Sequence, residues 1–188
     1  MKKPKFVTGE EAAAMIKDDS TIATIGMTLV SASETILKAI EKRFLETGSP
    51  NHLTLVHSCG QSDRDRGIQH FSHEEMLYRI IGGHWGLQPR MMKLISENKI
   101  LAYCIPQGQF AQLYRSMAGG EPGKITKVGL GTFIDPRIDG GKMNAITKDA
   151  PDIVDVVTID GEEYMRYKPI PLDYCIIRGT YVDEMGNL

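Results

Sequence analysis

Apolar residues fall along the chain in two alternating rhythms. Short apolar runs predict strands at Thr21–Ile25, Leu53–Val56, Tyr78–Ile81, Ile100–Ile105 and Tyr174–Ile177. Between them, apolar positions recur at helical spacing, as at Ile36, Leu37, Ile40 and Phe44. The helix boundaries carry their own signals. Thr8 and Glu11 form an S/T-x-x-E capping pattern ahead of Ala12, Ala13, Met15 and Ile16, and Ser31 and Glu34 repeat it. Gly48 closes the second helix, with Pro50 just beyond. Pro89 opens a third helix running to about Glu97, and Pro106-Gln107-Gly108 turns into a fourth that ends near Met117.

Strand, glycine-bearing loop, helix, strand is the grammar of a parallel α/β sheet, and the nearly all-apolar strands predict helices on both faces. The pattern breaks after Ala118. Residues 153–159 and 162–167, joined by Asp160-Gly161, predict a β-hairpin with a type I′ turn. The expected architecture is therefore a three-layer, open, mainly parallel α/β sheet with an antiparallel excursion near residues 150–168. Tyr174–Ile177 is expected to return as a core strand. Asp183–Asn187 reads as a turn that leads into a further element, so the sequence is expected to be an interrupted one.

Length adds one constraint: 188 residues make one domain, expected over 1–188. A net charge of −2 and a pI near 6.2 exclude a strongly basic nucleic-acid binder. With 41% apolar and 24% charged residues, disorder is also excluded. No apolar run reaches the roughly 18–20 residues of a membrane helix. The N-terminus, Met1–Lys5, is basic, but glutamates stand within Thr8–Ala13 where a signal peptide needs an apolar stretch, which points to the cytoplasm. Cys59, Cys104 and Cys175 are odd in number and far apart, as for reduced thiols.

Candidate chemistry narrows by elimination. Gly129-Leu130-Gly131 starts like a dinucleotide fingerprint, but Ile134 replaces its third glycine and Asp135-Pro136 follows where a helix is needed. No P-loop pattern is present. Cys59, His70 and His73, with His57 nearby, lack the paired spacing of a metal site, so none is expected. Cys59 beside His57 is either a nucleophile or a buried thiol. A stronger clue is the set of loops after strands: Gly26–Leu29, Ser58–Gln61, Gly82–Gly86 and Pro106–Gly108. In an open parallel sheet such loops border the ligand crevice, and Gln61, His84 and Gln107 add polar groups there.

Glu41–Gly48, Gly83-His84-Trp85, Pro106-Gln107-Gly108, Lys127–Pro136 with Gly140-Gly141-Lys142, and Arg178–Tyr181 together resemble the family I CoA-transferases. Within that family the propionate or short-chain acyl-CoA:acetate branch is the most similar. The resemblance runs from about Thr8 to Leu188 and implies the N-terminal, α-subunit-like half of an enzyme of two similar halves. It implies transfer of CoA from an acyl-CoA to a short-chain carboxylate, as in fatty-acid and ketone-body metabolism. A glutamate would form an acyl anhydride and then a glutamyl-CoA thioester.

In the family that glutamate lies in the C-terminal half, so the nucleophile is expected beyond Leu188 and no catalytic residue is assigned within this chain. Glu97-Asn98 lacks a following glycine and sits at a helix end. By the same resemblance Gln107 would orient the reacting carboxylate, with Gly108 giving close approach. Gly26, Gly60, Gln61, Gly83 and His84 would line the acyl or carboxylate pocket. No cofactor is implied, CoA being substrate and transient adduct. The implied partners are the C-terminal half and further copies of the chain, with neither nucleic acid nor membrane. Two other readings are a sugar-phosphate isomerase or sensor of related fold and a non-catalytic partner-binding module.

Overall fold

The computed structural model describes residues 4–188; Met1–Lys3 of the basic N-terminus lie outside them. Helix α1 (Gly9–Ala14) starts at the Thr8–Glu11 capping box, with both reciprocal hydrogen bonds present. Strand β1 (Thr21–Thr24) is followed by α2 (Glu34–Thr47), β2 (Leu53–His57), β3 (Leu77–Gly82), α3 (Pro89–Ser96), β4 (Leu101–Cys104) and α4 (Gln107–Ala118). A 3-10 helix at Gly67–Phe71 lies between β2 and β3, and all five of its residues are buried.

These strands and β8 (Tyr174–Ile176) form a five-stranded sheet ordered β4-β3-β2-β1-β8, parallel throughout. Successive residues point to opposite faces, so each strand feeds two cores. Ile22, Leu55, Ile80 and Ala102 pack among side chains of α1, α2, α3 and the 3-10 helix. Ala23, Val56, Ile81 and Tyr103 face Phe110 and Leu113 of α4 and the residues of a second, smaller sheet. The three-layer reading from the apolar pattern holds. Each fully buried Leu or Ile contributes about 1.5–3 kcal/mol, which is why both faces require a cover.

The structure corrects three expectations. The second helix is not capped by Ser31, which sits at φ +63° in the preceding turn. Its N-cap is Ser33, without a side-chain cap bond. Glu34 instead accepts from Gly67 N at 2.9 Å and meets His70 Nε2 at 2.9 Å. β8 is an edge strand, with Cys175 exposed, not a core strand. The predicted hairpin, β6 (Val154–Ile159) and β7 (Glu162–Tyr167), gains a third strand, β5 (Lys124–Thr126), paired antiparallel to β7. Its turn is as expected: Asp160 and Gly161 have φ +51° and +80°.

The glycine-rich stretch near residues 128–143 acquires a structural role. It closes the outer edge of β4. Cys104 N donates to Gly141 O at 2.8 Å, Met143 N donates to Ala102 O at 2.9 Å, and Thr147 Oγ1 accepts from Ala102 N at 2.9 Å. Inaccessible Asp135 staples the preceding turn, accepting from Gly131 N at 2.9 Å and Arg137 Nη2 at 2.8 Å. Arg137 also reaches Glu163 on β7 at 2.8 Å. The Arg137 guanidinium and the Gly131 amide hold the Asp135 carboxyl well below the usual carboxylate range.

Candidate functional site

Because β1 to β4 are parallel and adjacent, the loops that follow them stand in one row along the carboxyl edge of the sheet. Direct contacts tie the row together. Thr28 N in the first loop donates to Gly60 O in the second at 2.7 Å. Ile105 N, leading to the fourth, donates to Gly82 O at 3.0 Å. Two glycines allow closer approach than any other residue. A β-carbon on Gly60 would lie 2.7 Å from His84 Nδ1, and one on Gly83 would lie 2.4 Å from Ser58 O and 2.6 Å from Gln107 Cγ.

The candidate residues thus divide. Gly60, Gly83, His84 and Gln107 are brought together, with His84 and Gln107 exposed at the surface of the row. Gln107 is the first residue of α4, so the positive end of that helix faces the same edge. Gly108 follows it, exposed, and a β-carbon there would meet nothing within 4 Å. The fold itself therefore does not require glycine at that position. Gly26, at φ +142°, precedes the tight turn Met27–Val30, which reaches the row through Thr28.

Gln61 faces inward. Its Nε2 donates to Thr24 O at 2.9 Å, its backbone oxygen accepts from Ile68 N, and its Oε1 has no partner among the described residues. It braces β1 against the second loop instead of presenting an amide to solvent. Beneath the row, Gln88 is fully buried and, with its amide turned to match its neighbours, donates to His84 O and Trp85 O while accepting from Gln61 N.

His57, the last residue of β2, is completely buried. Trp85 Nε1 donates to its Nε2 at 3.1 Å, and its Nδ1 faces Cys59 O at 2.8 Å. Burial pushes the imidazole down to about 4, with exposed His84 adding a like-charge contribution and the Cys59 carbonyl opposing it. His70 and His73 lie elsewhere, against Glu34 and Glu41 on α2. Both carboxyls sit below their usual range: burial pushes them up, and the hydrogen bonds from the histidines outweigh it.

Sequence reasoning assigned no role to Arg178, although it lies in one of the characteristic stretches. The strand order reverses between β1 and β8, and the crevice outside such a switch point is a preferred ligand position. Two open clefts of about 440 Å³ lie there, both bordered by Arg178, one with Ser33–Ile36 at the start of α2 and one with Val30 and Thr180. Arg178 Nη1 donates to Ala32 O at 3.4 Å. The signal that could have found it is topological: the fifth strand follows an excursion and lands on the far side of the first.

Residues 6–188 match the family model for coenzyme A transferase. The chain is 41% identical to caffeate CoA-transferase of Acetobacterium woodii over 98% of its own length and 35% of that relative's. It is 28% identical to the alpha subunit of the acetoacetyl-CoA:acetate/butyrate CoA transferase of Clostridium acetobutylicum, covering 97% of this chain and 74% of that subunit. The crystal structure of the acyl-CoA transferase YdiF from Escherichia coli O157:H7 superposes with a TM-score of 0.88 at 35% identity, over 95% of this chain and 36% of YdiF. YdiF has also been solved as a thioester complex with CoA. The chain therefore spans about a third of the length of the caffeate enzyme and of YdiF.

Proposed function

Since the chain belongs to the coenzyme A transferase family, we propose that it supplies one wall of a divided active site that moves CoA from an acyl-CoA to a short-chain carboxylate. The row of loops carries this reading. It gathers Gly60, Gly83, His84 and Gln107 from three successive strand ends at the positive end of α4. The sugar-phosphate alternative is not favoured, because the matching family and the most similar relatives are CoA-transferases.

The reaction runs through a glutamate on the complementary half. Its carboxylate attacks the acyl carbonyl, the thiolate of CoA leaves, and an anhydride forms. The thiolate then attacks the glutamyl carbonyl, releasing the donor carboxylate and leaving a glutamyl-CoA thioester. The acceptor carboxylate reverses these steps. Each tetrahedral intermediate carries an oxyanion, and the amides at the start of α4 and the Gln107 carboxamide stand ready to donate to it. Exposed Gly108 leaves open space beside them, and the loops of Gly26 and Gly60 close the row at its other end. Neither metal nor cofactor enters this scheme. The isolated chain is inactive, and it associates with the complementary half and with further copies of itself.

Intact-mass measurement after incubation with acetyl-CoA tests this. The expected result is no adduct on this chain alone and, on adding a separately expressed C-terminal half of YdiF type, a CoA adduct on that half. A CoA adduct on this chain alone would place the nucleophile within these 188 residues and overturn the reading.

A further inference from the structure

We infer that His57 is a positioning residue for the loop row, held as the neutral Nδ1-protonated tautomer and clamped by Trp85 across the face of Gly82. The tautomer follows from the partners. The Trp85 indole can only donate, so the Nε2 it meets at 3.1 Å must be the bare, accepting nitrogen. The Cys59 carbonyl can only accept, so the Nδ1 beside it at 2.8 Å must carry the proton. A neutral ring satisfies both contacts, and an imidazolium cannot.

Three of the four loops depend on this pair. Nδ1 holds the Cys59 carbonyl, one residue before Gly60 in the second loop. Trp85 belongs to the third loop, one residue after His84. A β-carbon on Gly82 would lie 2.4 Å from His57 Nε2 and 2.8 Å from Trp85 Nε1, so glycine is what lets the hydrogen bond pass over the strand end. Gly82 O in turn accepts from Ile105 N, which sets the approach to Gln107. The buried ring thus spaces the second, third and fourth loops without reaching the surface where a substrate would sit. The depressed pKa of His57 agrees, since the neutral ring is then the form present throughout the neutral range.

The functional weight of this inference rests on the proposed transferase site, but its structural content does not. Trp85 is the sole tryptophan of the chain, so its indole proton and fluorescence report on this contact alone. In nitrogen-15 NMR of the unaltered chain at pH 7, His57 is expected to show a protonated Nδ1 and an unprotonated Nε2; the opposite tautomer overturns the proposal. In His57→Phe, the indole proton is expected to exchange about tenfold faster, the size of effect one lost hydrogen bond produces. His57→Gln, whose amide oxygen can stand in for Nε2, is expected to recover most of that protection. Equal exchange in all three chains overturns the inference. With the complementary half added, His57→Phe is expected to lower kcat more than it raises KM, with His57→Gln intermediate. An inactive unaltered pair would refute the transferase reading and leave the tautomer and exchange results to decide the clamp.

Discussion

The two edges of the parallel sheet are finished in different ways. At the β4 edge, backbone groups of Ala102 and Cys104 are paired with Gly141, Met143 and Thr147, and Asp135 staples the turn that brings that segment in. At the β8 edge, Cys175 is exposed, and beside it runs an apolar cleft of about 460 Å³ lined by Ala23, Ile25, Tyr114, Met117 and Leu172. The Tyr114 hydroxyl is buried there without a partner among the described residues, and burial raises its pKa to about 12. An unpaired edge is a template for association, so proteins usually cover one. The contrast shows that a glycine-rich stretch without regular secondary structure can do the work of a sixth strand.

The largest expected effect comes from breaking the covered edge. A β-carbon at Gly141 would stand 2.4 Å from Ile134 Cδ1 and 2.7 Å from Cys104 O, at φ +73°. Gly141→Ala should therefore destabilise the chain by about 3–4 kcal/mol, from overpacking plus left-handed backbone strain, read as a shift in the urea midpoint. The centre of the sheet offers the next test. His57 is lowered from 6.5 to about 4, so the unfolded chain binds a proton that the folded chain refuses. Stability is full above about pH 6.5 and falls as the pH drops toward 4, by about 3 kcal/mol in total. His57→Gln should flatten that slope in urea titrations between pH 7 and 4.

Asp135→Asn is expected to cost about 2 kcal/mol by replacing a charge-assisted cluster with a neutral amide in a buried position. The sign of its pH dependence separates it from His57. Its folded pKa is depressed, so its contribution stands above about pH 4, where unfolded Asp titrates, and is lost only at lower pH. The smallest effect is a difference in hydrogen exchange within the unaltered chain. The Ala102 and Cys104 amides, bonded to the covering segment, should exchange more slowly than the Tyr174–Ile176 stretch, which among the described residues has a neighbouring strand on one side only. Equal rates would erase the distinction between the edges.

Most strands and helices were legible because each is specified within its own few residues. The Thr8–Glu11 box, the Gly48 cap and the Asp160-Gly161 turn all sit as the sequence predicted. The second helix start was misread because Ser31 and Glu34 have capping spacing, while a distant partner, the Gly67–His70 segment, claims the glutamate. The site was legible as a set of loops but not as a set of contacts. Gln61 and Gln107 look alike in sequence, and one braces β1 from inside while the other lies at the surface.

The sequence by itself determined what is local: apolar period, caps, turns, and the alternation that places loops at strand ends. Its characteristic stretches also pointed to the family. Only the tertiary structure decided what depends on residues far apart in the chain. It turned β8 to the far side of β1, closed the β4 edge with a loop, gave Asp135 its Arg137–Glu163 chain, and buried His57 under Trp85. The physical reason is that a helix cap or a turn is settled by neighbours a few bonds away. An edge, a buried proton or a shared crevice is settled by which surfaces meet when the layers close.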